Sequence, residues 1–152
     1  MPKPVLPRRD KRAAFEILAL DHVVLRVADA GRLKRFYCDV LGCSVERERP
    51  ELGLTQLRAG VSLVDLIAVD GELGRAGGAA PGKTRRNMDH LCLRIEPFDQ
   101  NALVAHLVSN GVAVGEIKSR FGADGYGPSL YVSDPEGNVV ELKGPPTRAG
   151  KS

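Results

Sequence analysis

The sequence predicts an α+β fold made of two copies of one module, each a strand, a helix and then further strands. Leu20-Asp21-His22-Val23-Val24-Leu25-Arg26-Val27 and Met88-Asp89-His90-Leu91-Cys92-Leu93-Arg94-Ile95 spell nearly the same strand at an offset of 68 residues. Val64-Asp65-Leu66 and Val140-Glu141-Leu142 echo each other at an offset of 76, so each half supplies one histidine and later one carboxylate. Between the halves, 71–87 is rich in Gly and Ala and carries Pro81, the composition of a linker or mobile loop.

In the first module the β-rich run Ile17 to Val27 leads to Asp29, a good N-cap, and then to Leu33, Phe36, Tyr37, Val40 and Leu41 at helical spacing. Gly42 stops that helix. Gln56 to Arg58 and Val61 to Val69 read as strands parted by the Ala59-Gly60 turn. In the second module Met88 to Ile95 is a strand, Asp99 a cap, Leu103, Leu107 and Val108 an apolar stripe, and Gly111 the stop. Val112 to Ile117, Ser129 to Ser133 and Val139 to Lys143 follow as strands, the last two joined by the strong turn Asp134-Pro135-Glu136-Gly137-Asn138. The glycine-rich stretch Phe121 to Pro128 reads as a loop or a lid beside the proposed site.

The 152 residues suit one domain over 17–144, with module one at about 17–70, the linker at 71–87 and module two at about 88–144. A chain of this size buries roughly two thirds of its unfolded surface, so no metal or disulfide is needed to fold it. Flexible tails are expected at 1–16 and 145–152, the first one basic. The formal charge is +3, and Lys3, Arg8, Arg9, Lys11 and Arg12, set against Asp10, account for that excess. This is a solvated tail rather than a nucleic-acid footprint. It has no apolar run after its basic positions and holds Pro2, Pro4 and Pro7, so no signal peptide is expected. No segment approaches the roughly 20 apolar residues of a membrane span. Cys38, Cys43 and Cys92 are odd in number and lack CxxC spacing, the pattern of free thiols in a reducing cytoplasm.

Strand alternation puts His22, Val24 and Arg26 on one face and Val23, Leu25 and Val27 on the other, and splits His90, Cys92 and Arg94 from Leu91, Leu93 and Ile95 in the same way. The all-apolar face carries the helix, which leaves each histidine facing a concavity. Asp65 shares a face with Leu63 and Ile67, and Glu141 with Val139. A carboxylate among apolar neighbours is costly to bury unless it is paired or bound to a metal. A lone strand histidine is more often a packed, hydrogen-bonded residue than a ligand. Four such residues in duplicated positions reverse that preference, making His22, Asp65, His90 and Glu141 candidate ligands of a divalent metal.

Asp65 is one methylene shorter than Glu141, and orienting a histidine or binding water is its other role. Cys92 is a candidate sulfur ligand or pocket lining, and His106 on the second helix is expected away from the site. Arg26 and Arg94 are candidates to hold an anionic substrate group, with ion pairing as the commoner fate of such residues. Ser129 and Tyr131, on a strand beside Glu141, are candidates to bind substrate oxygens, or simply half-buried strand residues.

The paired modules, the opening Leu20 to Asp29 with Phe36-Tyr37 and Val40-Leu41-Gly42, and the ending Tyr131 to Leu142 resemble the vicinal oxygen chelate superfamily over residues 17–144. That group includes glyoxalase I, fosfomycin-resistance enzymes, extradiol dioxygenases, methylmalonyl-CoA epimerase and bleomycin-binding proteins. The resemblance implies an incomplete barrel of curved sheets and a homodimer whose sites combine modules of both chains. It puts His22, His90 and Glu141 on the family's metal positions, and Asp65 where glyoxalase I has Glu and the epimerase Gln. Ser129 and Tyr131 are similar in placement to substrate contacts of the fosfomycin enzymes, whereas Arg120 to Gly127 does not resemble their potassium loop.

The function expected on these grounds is that of a metal-dependent, glyoxalase-like lyase or isomerase in the cytoplasm. Its small substrate is chelated through oxygens on Zn, Ni, Co, Mn or Fe, and Glu141 or Asp65 relays the proton. An extradiol-type dioxygenase using His22, His90 and Glu141, and a metal-free drug-binding resistance protein, are the alternatives. Neither a nucleic acid nor a membrane is an expected partner.

Overall fold

In the computed structural model, residues 17–147 are described; the expected basic tail at 1–16 and the end of the C-terminal one, 148–152, lie outside them. Two four-stranded sheets form, one per module, each open and curved. The first contains β1 (His22–Val27), β2 (Ser44–Arg49), β3 (Leu54–Ala59) and β4 (Ser62–Ala68), in the order β1-β4-β3-β2. The second contains β5 (Leu91–Arg94), β6 (Lys118–Gly122), β7 (Gly125–Ser133) and β8 (Val139–Lys143), in the order β5-β8-β7-β6. β1 runs parallel to β4, β5 runs parallel to β8, and every other pairing is antiparallel. The duplication read in the sequence is thus a duplication of topology, and β1, which carries His22, and β5, which His90 directly precedes, are each an edge of their sheet.

The helices cover the apolar faces. α1 (Ala30–Arg35) starts at Asp29, whose carboxylate accepts the Arg32 N–H, and runs into a π-turn at Phe36–Val40. Leu33, Phe36 and Tyr37 from this segment bury against Leu25, Val27, Leu57, Val64 and Leu66. α2 (Gln100–Ser109), capped by Asp99, buries Leu107. Gly42 and Gly111 end the two helical segments at φ of 81° and 72°, a conformation in which a Cβ is strained. The buried residues of both modules belong to one core.

The Asp134 to Asn138 turn bolts the modules together. The Tyr37 hydroxyl donates to the buried Asp134 carboxylate at 2.9 Å, and the Glu136 carboxylate accepts from the backbone N–H groups of Ala28 and the helix-capping Asp29 at 2.6 and 2.8 Å. Asn87 accepts from the Arg26 N–H and donates both to the Arg26 carbonyl and to the Asn138 side chain. Among the described residues no helix is long and apolar enough to cross a membrane.

Four segments depart from the sequence expectation. Ile17, Leu18 and Leu20 are exposed and precede β1 instead of extending it. β2, absent from the sequence reading, is an edge strand of charged, exposed residues, so it shows no apolar alternation. The strand expected at 112–117 is replaced by β6 at Lys118–Gly122: Val112, Val114 and Ile117 pack on the core, and the segment meets β7 through the Gly115 N–H and the Tyr131 carbonyl. The glycine-rich stretch is no loop but the β6–β7 hairpin. Two of its glycines leave room for the chain end that packs on the hairpin: a Cβ on Gly122 would fall 2.9 Å from Lys143 Cε, and one on Gly127 2.6 Å from the Pro145 carbonyl oxygen and 3.1 Å from Lys143 Nζ.

Candidate functional site

The face of each sheet turned away from the core carries the candidate residues. In the first sheet Val24, Asp65, Gln56 and Arg47 lie directly opposite one another across β1, β4, β3 and β2. A register shift between Val45 and Arg47 brings Arg47, instead of Glu46, opposite Gln56. In the second sheet Cys92, Glu141 and Tyr131 form the corresponding row.

Both histidines are held by the residue before them. Asp21 meets His22 Nδ1 at 2.6 Å and Asp89 meets His90 Nδ1 at 2.6 Å. A carboxylate at Nδ1 takes the ring proton there and leaves the Nε2 lone pair outward, which is how metal-binding histidines are oriented. The hydrogen bond from Asp21, helped by the Asp65 charge, raises the His22 pKa, and the His90 contact lowers that of Asp89. His90 Nε2 stands 3.3 Å from Glu141 Oε2. Two donors sharing one ion at bond lengths near 2.1 Å stand about 3 Å apart, so this spacing suits a shared cation as well as an ion pair.

The carboxylates supply the second test. Asp65 and Glu141 are 4% and 6% exposed, yet Asp65 Oδ1 and Glu141 Oε1 have no hydrogen-bond partner among the described residues. An unpaired buried carboxylate oxygen is costly. Asp65 Oδ2, in contrast, accepts from Gln56 Nε2 at 2.9 Å, and Gln56 Oε1 accepts from Arg47 Nε at 2.7 Å. The arginine fixes which way the amide points, and the amide fixes the carboxylate with one oxygen turned out. Two imidazole nitrogens and two carboxylate oxygens form a donor set that fits a divalent transition metal.

The four residues come together as two pairs, one per module. Among the described residues, no three His, Cys, Asp or Glu side chains converge on a common point. Tyr131 packs edge-on against His90 at 5.3 Å, and buried Ser129 holds Arg120, so both lie on the Glu141 face. Arg26 donates to the carbonyls of Gly74, Gly78 and Ala79 and so anchors the inter-module segment. Arg94 is ion-paired with Glu96 and Asp124. Cys92 neighbours Glu141, and burial, then that charge, push its thiol up to about 11. His106 meets the Val40 carbonyl at 2.7 Å, away from either pair. A cavity of about 630 Å³ lies between Arg32 and Phe36 on one side and 110–115 on the other, and is lined by neither histidine nor by Asp65 or Glu141.

Sequence reasoning missed Asp21, Asp89, Gln56, Arg47 and Arg120. The aspartates carried a signal, since Asp-His stands at the same place in both copies. Gln56 and Arg47 carried none, because a register shift aligns them.

A model of the Glyoxalase/Bleomycin resistance protein/Dioxygenase superfamily matches residues 19–142. A virulence protein of Salmonella typhimurium strain LT2 is 30% identical over 125 residues, covering 81% of each chain. The crystal structure of that protein superposes with a TM-score of 0.67 at 27% identity, covering 86% of this chain and 99% of the other. An integron cassette protein from the mobile metagenome of V. cholerae superposes with a TM-score of 0.69 at 28% identity, covering 86% and 97%.

Proposed function

The chain belongs to the Glyoxalase/Bleomycin resistance protein/Dioxygenase superfamily, and from that premise we propose that it is a metal-dependent, glyoxalase-like enzyme acting on a small substrate bound through neighbouring oxygens. The observation that carries this reading is the pair of buried, unpartnered carboxylate oxygens, Asp65 Oδ1 and Glu141 Oε1, each in a module with an aspartate-held histidine.

Because the pairs occupy different modules, the reading includes a homodimer. His22 and Asp65 of one protomer would face His90 and Glu141 of the partner subunit. The edge positions of β1, which carries His22, and of β5, which begins at the residue after His90, support this. His22 Nε2, His90 Nε2, Asp65 Oδ1 and the Glu141 carboxylate would hold the ion. A divalent ion there supplies Lewis-acid polarisation of a substrate oxygen, worth several kcal/mol as negative charge develops. Asp21 and Asp89 keep the imidazoles in the ligating tautomer, and Gln56 with Arg47 keeps Asp65 aimed. Glu141 or Asp65 would take a proton from a substrate carbon held beside it and return it.

Elemental analysis of the purified protein beside His22→Ala and Glu141→Ala tests the reading. Near-stoichiometric metal in the parent, lost in both variants, is the expected result. A protein without metal even after reconstitution refutes it, as does full turnover after both Glu141→Ala and His90→Ala. Oxygen uptake that depends on Fe(II) would replace the lyase chemistry with that of a dioxygenase on the same residues.

A further inference from the structure

The face of the second sheet that carries His90 and Glu141 also carries Arg94, Lys118, Arg120 and Lys143. Arg94 is neutralised by Glu96 and Asp124, and Lys118 by Glu116. Arg120 and Lys143 have no carboxylate within ion-pair reach among the described residues. Lys143 is 4% exposed, and its ammonium donates to the Gly125 carbonyl at 2.9 Å. It lies over Gly127, the residue directly opposite Arg120 in the β6–β7 pairing, with its ammonium toward Gly125, whereas Arg120 reaches along β7 toward Ser129, so the two cations share one sheet face. Burying positive charge without an anion is costly, and the missing negative charge points to a ligand.

Arg120 is already oriented to receive one. Its Nη1 donates to the Ser129 carbonyl and hydroxyl, both at 2.8 Å, and its guanidinium carbon stands 4.6 Å over the Tyr131 ring. Nε and Nη2 have no partner among the described residues. The other contact of Tyr131 is the His90 ring at 5.3 Å. A molecule held by its oxygens beside His90 and Glu141 therefore extends across Tyr131 toward Arg120.

Resting on the metal-site reading above, we propose that Arg120, with the Ser129 hydroxyl beside it and the Lys143 ammonium on the same sheet face, forms an anion-binding subsite that receives a carboxylate or phosphoryl group of the substrate. The planar guanidinium stacked on an aromatic ring suits paired anionic oxygens, and Lys143 adds to the field without having to touch them. The substrate is then an oxygenated acid or phosphorylated hydroxyketone rather than a neutral aldehyde, diol or ketone.

Paired probes test this by calorimetric titration of the metal-reconstituted protein: catechol against 3,4-dihydroxybenzoate, and dihydroxyacetone against its phosphate. Within each pair the vicinal oxygens are the same and only the anionic group differs. The anionic member of at least one pair is expected to bind about tenfold or more tightly, the worth of one charge-assisted hydrogen bond, and the pair that shows it identifies the anion. That ratio should fall toward one in Arg120→Met, persist in part in Arg120→Lys and shrink in Lys143→Met, with thermal melts confirming that each variant is folded. Equal binding within both pairs by the parent protein, or a preference surviving intact in both Arg120→Met and Lys143→Met, overturns the subsite. Metal content measured on the same samples separates the two readings. Metal present without an anion preference sinks the subsite alone, and an anion preference lost in Arg120→Met in a protein that holds no metal sinks the metal reading alone.

Discussion

Gln56→Leu is the most direct perturbation of the proposed metal centre, because Gln56 touches no candidate donor atom and yet holds one candidate ligand in place. Among the described residues the buried Asp65 carboxylate has the Gln56 amide as its one hydrogen-bond partner, at 2.9 Å on Oδ2, while Oδ1 is unpartnered. Leucine fills a similar volume and removes that bond. In the metal-free protein the carboxylate then has no partner at all, a loss of about 2 kcal/mol for a hydrogen bond to a charged group. In the metal-bound protein Asp65 is no longer held with one oxygen outward, and removing such an orienting partner lowers metal affinity by about 10- to 100-fold, or roughly 1.4 to 2.7 kcal/mol. Competition with a chromophoric chelator for Zn²⁺ at near-neutral pH measures the affinity, and thermal melts without metal measure the stability loss. Arg47→Met should show a smaller loss of affinity, since Arg47 acts only by fixing the amide of Gln56. An affinity within about twofold of the parent in Gln56→Leu, with His22→Ala losing the metal, would refute the claim that Asp65 ligates as Gln56 holds it.

Three further outcomes are expected. Mixing His22→Ala with Glu141→Ala under conditions that exchange subunits should restore metal binding that neither variant has alone, because a mixed dimer pairs one intact first module with one intact second module; no recovery, with exchange shown by mass spectrometry, would put each site within a single chain. Tyr37→Phe removes the buried hydroxyl bonded to Asp134, which keeps its bonds from the Glu136 and Asn138 backbones and the Asn138 amide. It should cost about 2 kcal/mol and lower Tm by roughly 4–8 °C, and a calorimetric change below about 0.5 kcal/mol would deny that this contact bolts the modules. Burial, with a smaller contribution from Cys38, pushes the Cys43 thiol up to about 11, so the thiol is protonated below that pH and its thiolate grows only as pH rises toward it. Alkylation of native Cys43 at near-neutral pH should run roughly a hundredfold below that of an ordinary cysteine, and labelling as fast as in the unfolded chain would show that the residue is not buried as described.

The two-module plan was legible because it is written in short-range pattern. Period-two alternation in His22 to Val27 and Leu91 to Arg94, the Asp29 and Asp99 caps and the Gly42 and Gly111 stops each depend on neighbours within a few residues. The same alternation predicts that His22, Asp65, His90 and Glu141 face away from the core. It fails where the cause is distant. Ser44 to Arg49 forms a strand through pairing with β3, with no apolar rhythm of its own, and Phe121 to Pro128 reads as a loop because its glycines make room for Lys143, some twenty residues later in the chain.

The sequence by itself determined the duplicated topology and the candidate donors, which follow from residue type and local periodicity, and its motifs carry the likeness to the superfamily. Only the tertiary structure decided that the donors stand as two separate pairs, that Arg26 and Arg94 already hold protein groups, and that Arg47, Gln56 and Arg120 belong to the site face. Those outcomes depend on which strands lie side by side and in what register, and a single bulged residue in β2 suffices to exchange Glu46 for Arg47 opposite Gln56.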